Sequence, residues 1–466
     1  MRKSFSSLTS RELDSLERGV RVMKSRPKHD PTSWWYQANM HGYLDQEEET
    51  ILEAWGSCQH ANWWFLPWHR AYLFAFERIL RAASGDVELT LPYWDWTDRS
   101  QRALPDRFFD SDSPLFEKNR CIKQGMPIAA TAVAWEHAFR VVSFASPCGG
   151  EGFGGPYKRE PGHREHNRNF GALEVCAHNA VHTEIGHWMG NPDTAGRDPI
   201  FWLHHANVDR LWGEWLRLGR GRRNPDDPLW LETRFTFFDP GGRRIELSAS
   251  NVLDLDRLGY YYDKGVSVQA VPPSLAGPQR RNVIKAFPPG MMEEVIATDG
   301  TPRTLGSSPQ TVRLAVEPAQ QPRLTAALGG FQGLGDADHR IVRAIFTDVR
   351  YDTPPSRYYS VYINLPDLAQ AGDPNTPYFV GLITFFESAS QAAMGHRDGM
   401  KAGQGASITL DLTENLRELG LLGASADSIT ITLVPSDARA GMAADPLVGA
   451  GPTVSVGHIT IAATPE

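Results

Sequence analysis

Between His178 and Trp212 the chain reads HNAVHTEIGHWMGNPDTAGRDPIFWLHHANVDRLW, five histidines in thirty-five residues. Burying a polar ring without a partner is costly, so a fold that gathers so many imidazoles in two short stretches must give them a common task. His178 and His182 are four apart, which puts both rings on one helix face, within reach of one cation. A loop rich in Gly, Asn and Pro turns the chain back, and the next helical stretch supplies His204 and His205. Alone, this pattern suits zinc, because HxxxH with a distant third donor serves many hydrolases. The HExxH proteases, however, carry Glu directly after the first histidine as general base, and that position here is Asn179.

A second group lies upstream: His41 after SWWYQANM, His60 in SCQHANWWF and His69 in LPWHRAYLF. Two sets of three histidines, with no carboxylate among them, point to two metal ions each held by three nitrogens. Imidazole suits copper, zinc, iron and nickel, whereas di-iron bundles use Glu and Glu-x-x-His; an all-nitrogen pair favours copper. His163, His166, His187, His339, His396 and His458 lack such patterning and are assigned structural roles.

The frame around these residues divides in two. Residues 12–24 repeat apolar positions at helical spacing, with Ser10 as N-cap and Pro27 beyond the end; FLPWHRAYLFAFERILRAASG is a stronger helix with a Glu77/Arg81 pair and a stop at Gly85. Residues 176–188 and 201–218 are helical by pattern, while LPYWDW and residues 147–171 read as loop. This helical part ends near LGYYYD (258–263). Beyond it, QTVRLAVEP, HRIVRAIFTDVRY, RYYSVYINLP, YFVGLITFFES, ASITLDLT, SITITLVPS and PTVSVGHITIAA are short alternating or β-branched runs, the pattern of a sandwich or barrel. Residues 272–308, rich in Pro, Gly and polar side chains, read as a connector. With 466 residues and fourteen Trp, the chain can bury a large aromatic core. A net charge of -8 with both signs dispersed argues against nucleic-acid and anionic-membrane partners. No apolar run would span a bilayer and the start lacks a secretory core segment, so a soluble protein is expected, any export signal having been removed or never present. Four cysteines (Cys58, Cys121, Cys148, Cys176) allow at most two bridges and leave the compartment open.

FLPWHRAYLFAFERIL, LPYWDW, HNAVH and DPIFWLHHANVDRLW together resemble the two copper-binding signatures of the type 3 copper proteins: tyrosinases, catechol oxidases and hemocyanins. MKSRPKHDPTSWWYQANMHG is similar to the region before the first copper ligand of plant polyphenol oxidases. LGYYYD resembles the tyrosine motif closing their catalytic domain, and RYYSVYINLP, SITITLVPS and TVSVGHITI resemble their carboxy-terminal β-domain. The likeness covers nearly the whole chain, closely to about Asp263 and more loosely beyond.

The resemblance implies a mainly α catalytic domain, a four-helix bundle with long loops holding a dinuclear copper site (1–271), a linker (272–308) and an all-β sandwich domain (309–466). It implies His41, His60 and His69 on the first copper and His178, His182 and His205 on the second, because in HHxxxDRxW the second histidine is the ligand. His204 then stands behind the ligands, and Asp209 orients or hydrogen-bonds within the site; an ordinary salt bridge of Asp209 with Arg210 or a neighbour remains open. Cys58 matches the cysteine that forms a thioether with the ligand ring, here His60, in fungal members, with a buried thiol as the alternative. Cys176 has no family role and is assigned to the core or a disulfide. Glu174 matches the family's water-holding glutamate, and Asn179 the asparagine that polarises that water in members active on monophenols.

The implied activity is that of a tyrosinase, using O2 to ortho-hydroxylate monophenols and oxidise o-diphenols to o-quinones, with small phenols as partners. Catechol oxidase without the hydroxylation, a hemocyanin-like O2 carrier and a zinc hydrolase are the alternatives. The loop 190–196 is expected to border the second copper with an open rim. The β-domain is expected to pack on the catalytic domain and either to cover its mouth, as in similar proteins, until cleavage in the linker, or only to stabilise it.

Overall fold

Thr9 opens the first long helix, α1 (Ser10–Ser25). Its hydroxyl accepts from the Glu12 N–H while the Glu12 carboxylate accepts from the Thr9 N–H. The cap is thus one residue earlier than periodicity places it, because the glutamate that closes the box stands three residues after Thr9. The structure is a computed structural model. It describes residues 1–44, 47–48, 50–146, 152–162, 170–266, 294–322, 324, 340–351, 355–386, 405–419, 427–436 and 453–465. His163, His166, His339, His396 and Cys148 lie outside them.

Helix α2 (Trp34–His41) is capped by Ser33, and α3 (Phe65–Ser84) stops at Gly85 with φ 69°, carrying the Glu77–Arg81 pair at 2.8 Å. After α4 (Trp135–Arg140) comes a composite element: α5 (Ala172–Glu174), a π turn (Val175–Asn179) and α6 (Ala180–Ile185). The helix expected over 176–188 is therefore shorter and interrupted. Gly186 ends it at φ 68°, a backbone conformation that a side chain would strain, and His187–Gly190 is a 3-10 turn. Helix α7 (Pro199–Arg217) starts from Asp198, whose carboxylate caps the Ile200 N–H and pairs with Arg120. Pro199 occupies its first position, where no N–H is needed.

Stacked aromatic rings fill the space between these helices. Trp202 lies flat on Phe76 at 3.4 Å and Phe153 on Trp215 at 4.3 Å, while Trp34 meets both Phe76 and Trp202 edge-on. Two short pairs complete this part: β1 (Ala145–Ser146) with β2 (Gly155–Pro156), and the hairpin β3 (Arg234–Phe238) with β4 (Arg244–Ser248).

The second part is mainly β, with a short helix at Thr413–Glu418 and a 3-10 turn at Leu368–Gln370. Strands β5 (Glu294–Asp299), β6 (Arg303–Leu305), β7 (Gln310–Ala315), β8 (Arg340–Val349), β9 (Tyr359–Ile363), β10 (Phe379–Ile383), β11 (Ala406–Asp411), β12 (Ser428–Pro435), β13 (Val454–Val456) and β14 (His458–Pro465) follow in order. They form two antiparallel four-stranded sheets, β10-β9-β12-β7 and β11-β8-β14-β5, and a β13-β6 pair. Side chains of both sheets share one core, as Val361 and Ile431 do with Phe346 and Ile461. The connector expected over 272–308 must be shortened, since β5 pairs with β14 and β6 with β13. The Asp-Gly-Thr-Pro turn between β5 and β6 extends the linker-like composition past residue 293; residues 267–293 are outside the described set.

Strands β9 and β10 are buried on both faces. Their side chains divide between two cores: in β9 Tyr359, Val361 and Ile363 enter the sandwich core and Tyr362 the helical one, while in β10 a bulge between Phe379 and Gly381 shifts the alternation, so that Val380 and Ile383 enter the sandwich core and Phe379 and Leu382 the helical one. This sheet face is how the β-domain lies against the helices. Among the described residues no helix is long and apolar enough to cross a membrane.

Candidate metal centre

Four helical elements and one loop bring six histidines together. His41 ends α2, His69 sits in the first two turns of α3, His178 lies in the π turn, His182 on α6 and His205 on α7, while His60 comes from the loop before α3. All six are buried. His41 and His60 bring their Nε2 atoms to 3.1 Å, and the His69 ring is 5.1 Å from that of His60 and 5.6 Å from that of His41. In the other set, His205 Nε2 lies 3.2 Å from His178 Nε2 and 3.3 Å from His182 Nε2. The two sets face each other, His69 stacking on His205 at 4.4 Å and His60 lying 5.5 Å from His178.

The far side of each ring explains the near side. The Nδ1–H groups of His41, His69 and His182 donate to the carbonyls of Pro192, Phe65 and Met189, each at 2.8 Å. His60 Nδ1–H donates to Glu174 Oε1 at 2.9 Å and His178 Nδ1–H to Asn179 Oδ1 at 2.8 Å. With the proton placed on Nδ1, each Nε2 carries a lone pair. The His41 and His60 lone pairs, converging at 3.1 Å, repel unless a cation lies between them, and the Nε2 atoms of the second set stand at 3.2 and 3.3 Å. Two imidazoles on one tetrahedral ion at ~2.0–2.1 Å each would sit about 3.3 Å apart. The donor set therefore fits two metal ions. Burial, the largest influence, holds all six imidazoles below their usual pKa, His41 at about 4, so they stay neutral and able to donate.

His178, His182 and His204 also place nitrogens within 4.8 Å of one another. Yet Trp96 Nε1–H donates to His204 Nδ1 at 3.1 Å, which leaves the proton on His204 Nε2 and no lone pair there for a metal. That bond sets His204 apart from His205, whose Nε2 faces those of His178 and His182.

Of the two readings open for Asp209, the structure shows the ion pair, though not with Arg210. Its hydrogen bonds run to Arg70 at 2.5 Å, Tyr262 at 2.6 Å, Tyr260 at 2.7 Å and Arg2 at 3.4 Å, and none reaches a histidine. Arg210 pairs instead with Asp95 at 2.6 Å. Asp209 is the hub of a buried ionic cluster that ties α7 to α3, to the chain start and to the tyrosines of LGYYYD. It braces the helix that carries His205 without entering the site.

Glu174 is buried and accepts from both His60 and the Ala61 N–H. Burial pushes its carboxyl up to about 8, against the backbone N–H groups of Ala61 and Gly171 that pull it down. Cys58 is buried and brings its sulfur within 4.8 Å of donor nitrogens of His41 and His60. Cys176 is buried, Cys121 exposed, and no disulfide joins two described cysteines. The loop 190–196 reaches the first set through the Pro192 carbonyl, and residues 192–196 are buried rather than forming an open rim. Gly42 permits that approach: a Cβ there would lie 2.6 Å from Pro192 O.

Sequence reasoning missed the β-domain's share. Phe386, three residues past β10, stacks on His182 at 4.1 Å and meets His178 edge-on at 5.7 Å. Thr384 accepts from Asn179 Nδ2 at 3.2 Å, and Tyr358 OH donates to Glu184 Oε1 at 2.7 Å. In sequence these residues look like ordinary strand residues; only the doubly apolar run FVGLITFF signals a second buried face.

Residues 31–160 and 150–218 match the common central domain of tyrosinase, 224–270 the polyphenol oxidase middle domain, and 292–463 a domain of unknown function. The chain is 33% identical to tyrosinase HcTyr1 of Hahella sp. (strain CCB-MM4), over 93% of this chain and 95% of that protein. The chain belongs to the tyrosinase family. Within this family it is also similar to the chloroplastic polyphenol oxidase of Malus domestica, 27% identical over 91% of this chain and 72% of the relative. The fold agrees with that of latent apple tyrosinase at a TM-score of 0.65 and 23% identity, covering 100% of this chain and 97% of that one. As a tyrosinase-family member it is a type 3 copper oxidoreductase, its histidine sets are consistent with a dinuclear copper site, and dioxygen is the family's co-substrate.

Proposed function

We propose that this protein is a latent tyrosinase. It hydroxylates monophenols at the ortho position and oxidises o-diphenols to o-quinones, so that a monophenol and O2 give an o-quinone and water, and two o-diphenols and O2 give two o-quinones and two waters. The observation that carries the reading is the convergence of six neutral, buried imidazoles beneath an aromatic ring, Phe386, in the place a flat phenol would take. His41, His60 and His69 hold the first copper and His178, His182 and His205 the second. When bound, the copper pair supplies dioxygen activation and the electron transfer that no side chain here can provide.

The chain's own residues do the rest. Backbone carbonyls of Pro192, Phe65 and Met189 hold three imidazoles in the donor tautomer, and Glu174 and Asn179 hold one in each set. His204, held by Trp96, packs behind His178 and His182. Phe65 and Phe201 wall the pocket against water. A phenol, with a usual pKa near 10, must give up its proton to react, and Glu174 with Asn179 steers the water that receives it. Cations in the adjacent pocket would pull the Glu174 carboxyl down toward its ionised form. Cys58 forms a thioether with the His60 ring, the S–H and a ring C–H bond giving up two protons and two electrons to O2, which leaves as hydrogen peroxide; the link fixes that ligand, and an intact mass lower by two hydrogens per chain checks this.

The test is oxygen uptake by the copper-loaded chain with tyrosine and with a catechol, before and after limited proteolysis. Uptake with both substrates after cutting is expected. Uptake with catechol alone would reduce the activity to catechol oxidase, and uptake with neither, alongside reversible oxygen binding, would make the protein an oxygen carrier.

A further inference from the structure

The Nδ1 protons of the histidines are not all held by the same kind of group. His41, His69 and His182 donate to carbonyl oxygens, which only accept, so their tautomer is fixed by the acceptor alone. An ionised Glu174 does the same for His60. His178 differs: its acceptor is the amide of Asn179, which offers an oxygen on one side and an N–H donor on the other. Turned over, that amide would drive the His178 proton to Nε2, the atom 3.2 Å from His205 Nε2. Because Asn179 is fully buried, the orientation found needs an acceptor for its Nδ2–H. Thr384 Oγ1, one residue past β10, is that acceptor at 3.2 Å.

We propose that Thr384 is a positioning residue of the metal centre: its hydroxyl anchors the Asn179 amide, and that amide, held against the His178 Nδ1–H, steadies the ring whose Nε2 faces the second copper. The β-domain thereby helps hold a metal ion as well as covering it. This rests on His178 being a ligand, as read above. Three β-domain side chains clasp the segment that bears His178 and His182, namely Thr384 on Asn179, Phe386 on His182 and Tyr358 on Glu184. Only Thr384 acts on the proton of a ligand.

The experiment follows copper per chain over time, by atomic absorption, as the copper-loaded full-length protein is dialysed against EDTA. Loss of one of the two ions should be about tenfold faster in Thr384→Val, the size of effect seen when a group supporting a ligand is removed. Thr384→Ala is read beside it, so that a packing fault of valine does not decide the result. Thr384→Ser, which keeps the acceptor, should match the wild type. So should Tyr358→Phe, which loosens the clasp without touching Asn179. Unchanged retention in both Thr384→Val and Thr384→Ala overturns the inference, and so does equal acceleration in Tyr358→Phe, which would assign the effect to docking. A wild type that holds no copper overturns the centre itself; a wild type with two ions and indifferent variants overturns this inference alone.

Discussion

The helical part and the β part of this molecule are built on opposite principles. The helical core accepts buried charge and buried imidazole: Arg2, Arg70, Glu77 and Asp209 form one ionic cluster within it, and six histidines form another polar group. The sandwich core is aliphatic, with Val361, Ile431, Phe346 and Ile461 meeting between sheets. Polar groups that must hold a position are expensive to bury, and most here are held by specific partners, such as Asp209 by Arg70 and His41 by the Pro192 carbonyl. Apolar alternation asks for no such partner, so the β part is free to present its outer face to another surface. The comparison teaches that the histidines are gathered in one part and covered from the other, with β9, β10 and the residues just after β10 as the join.

The comparison is broken most sharply by removing a donor from one part and a packing group from the other. His205→Ala should lower phenol oxidation by on the order of a thousandfold and release copper, measured by oxygen uptake and metal analysis. Ile431→Ala should instead leave copper per chain unchanged while destabilising the β part by about 2–5 kcal/mol in denaturant unfolding, because it opens a cavity in a fully buried core.

Access comes next. Phe386→Ala should raise phenol turnover by the uncut chain by about 10–100-fold, the gain available when a state closed most of the time becomes open. Wild-type rates in this variant would mean that the ring does not guard the site.

Acid sharpens the comparison further. The helical histidines are held neutral, with folded pKa values below the usual 6.5 and His41 at about 4. A group whose folded pKa is depressed contributes stability that is complete above its unfolded value and is lost as pH falls through the window between the two. In copper-stripped protein the helical transition should therefore weaken from about pH 6.5 downward. Asp209 adds a second loss lower down: burial alone would raise its carboxyl, but Arg70 and Arg2 outweigh it and hold the group below 3.8. Among the described residues the β part buries no histidine, so its transition should change little across pH 6.5–4 in differential scanning calorimetry. The smallest effect is local: Thr9→Ala removes the α1 cap and should cost about 1 kcal/mol of the helical transition alone.

How much of this was legible in the sequence follows the same division. The ligand spacing was readable because i,i+4 geometry and the long motifs around His69 and His205 are local properties, and the strands were readable from their period of two. The acceptors that fix the tautomers were not, since the carbonyls of Phe65, Met189 and Pro192 belong to the backbone and have no side-chain signature. Asp209 could be seen but not placed, because its partners Arg2, Arg70 and Tyr260 are up to 207 positions away. Phe386 and Thr384 were read only as strand residues, and their role depends on which sheet face meets the helices. The turn between β5 and β6 misled because Gly and Pro mark a hairpin and a linker alike.

The central claim is that two metal ions lie between opposing sets of three histidines. Anomalous diffraction at the copper edge from crystals of the copper-loaded protein tests it directly. The account predicts two peaks about 3.5–4 Å apart, one among His41, His60 and His69 and the other among His178, His182 and His205. A single peak, or a peak on His204 in place of His205, would contradict it.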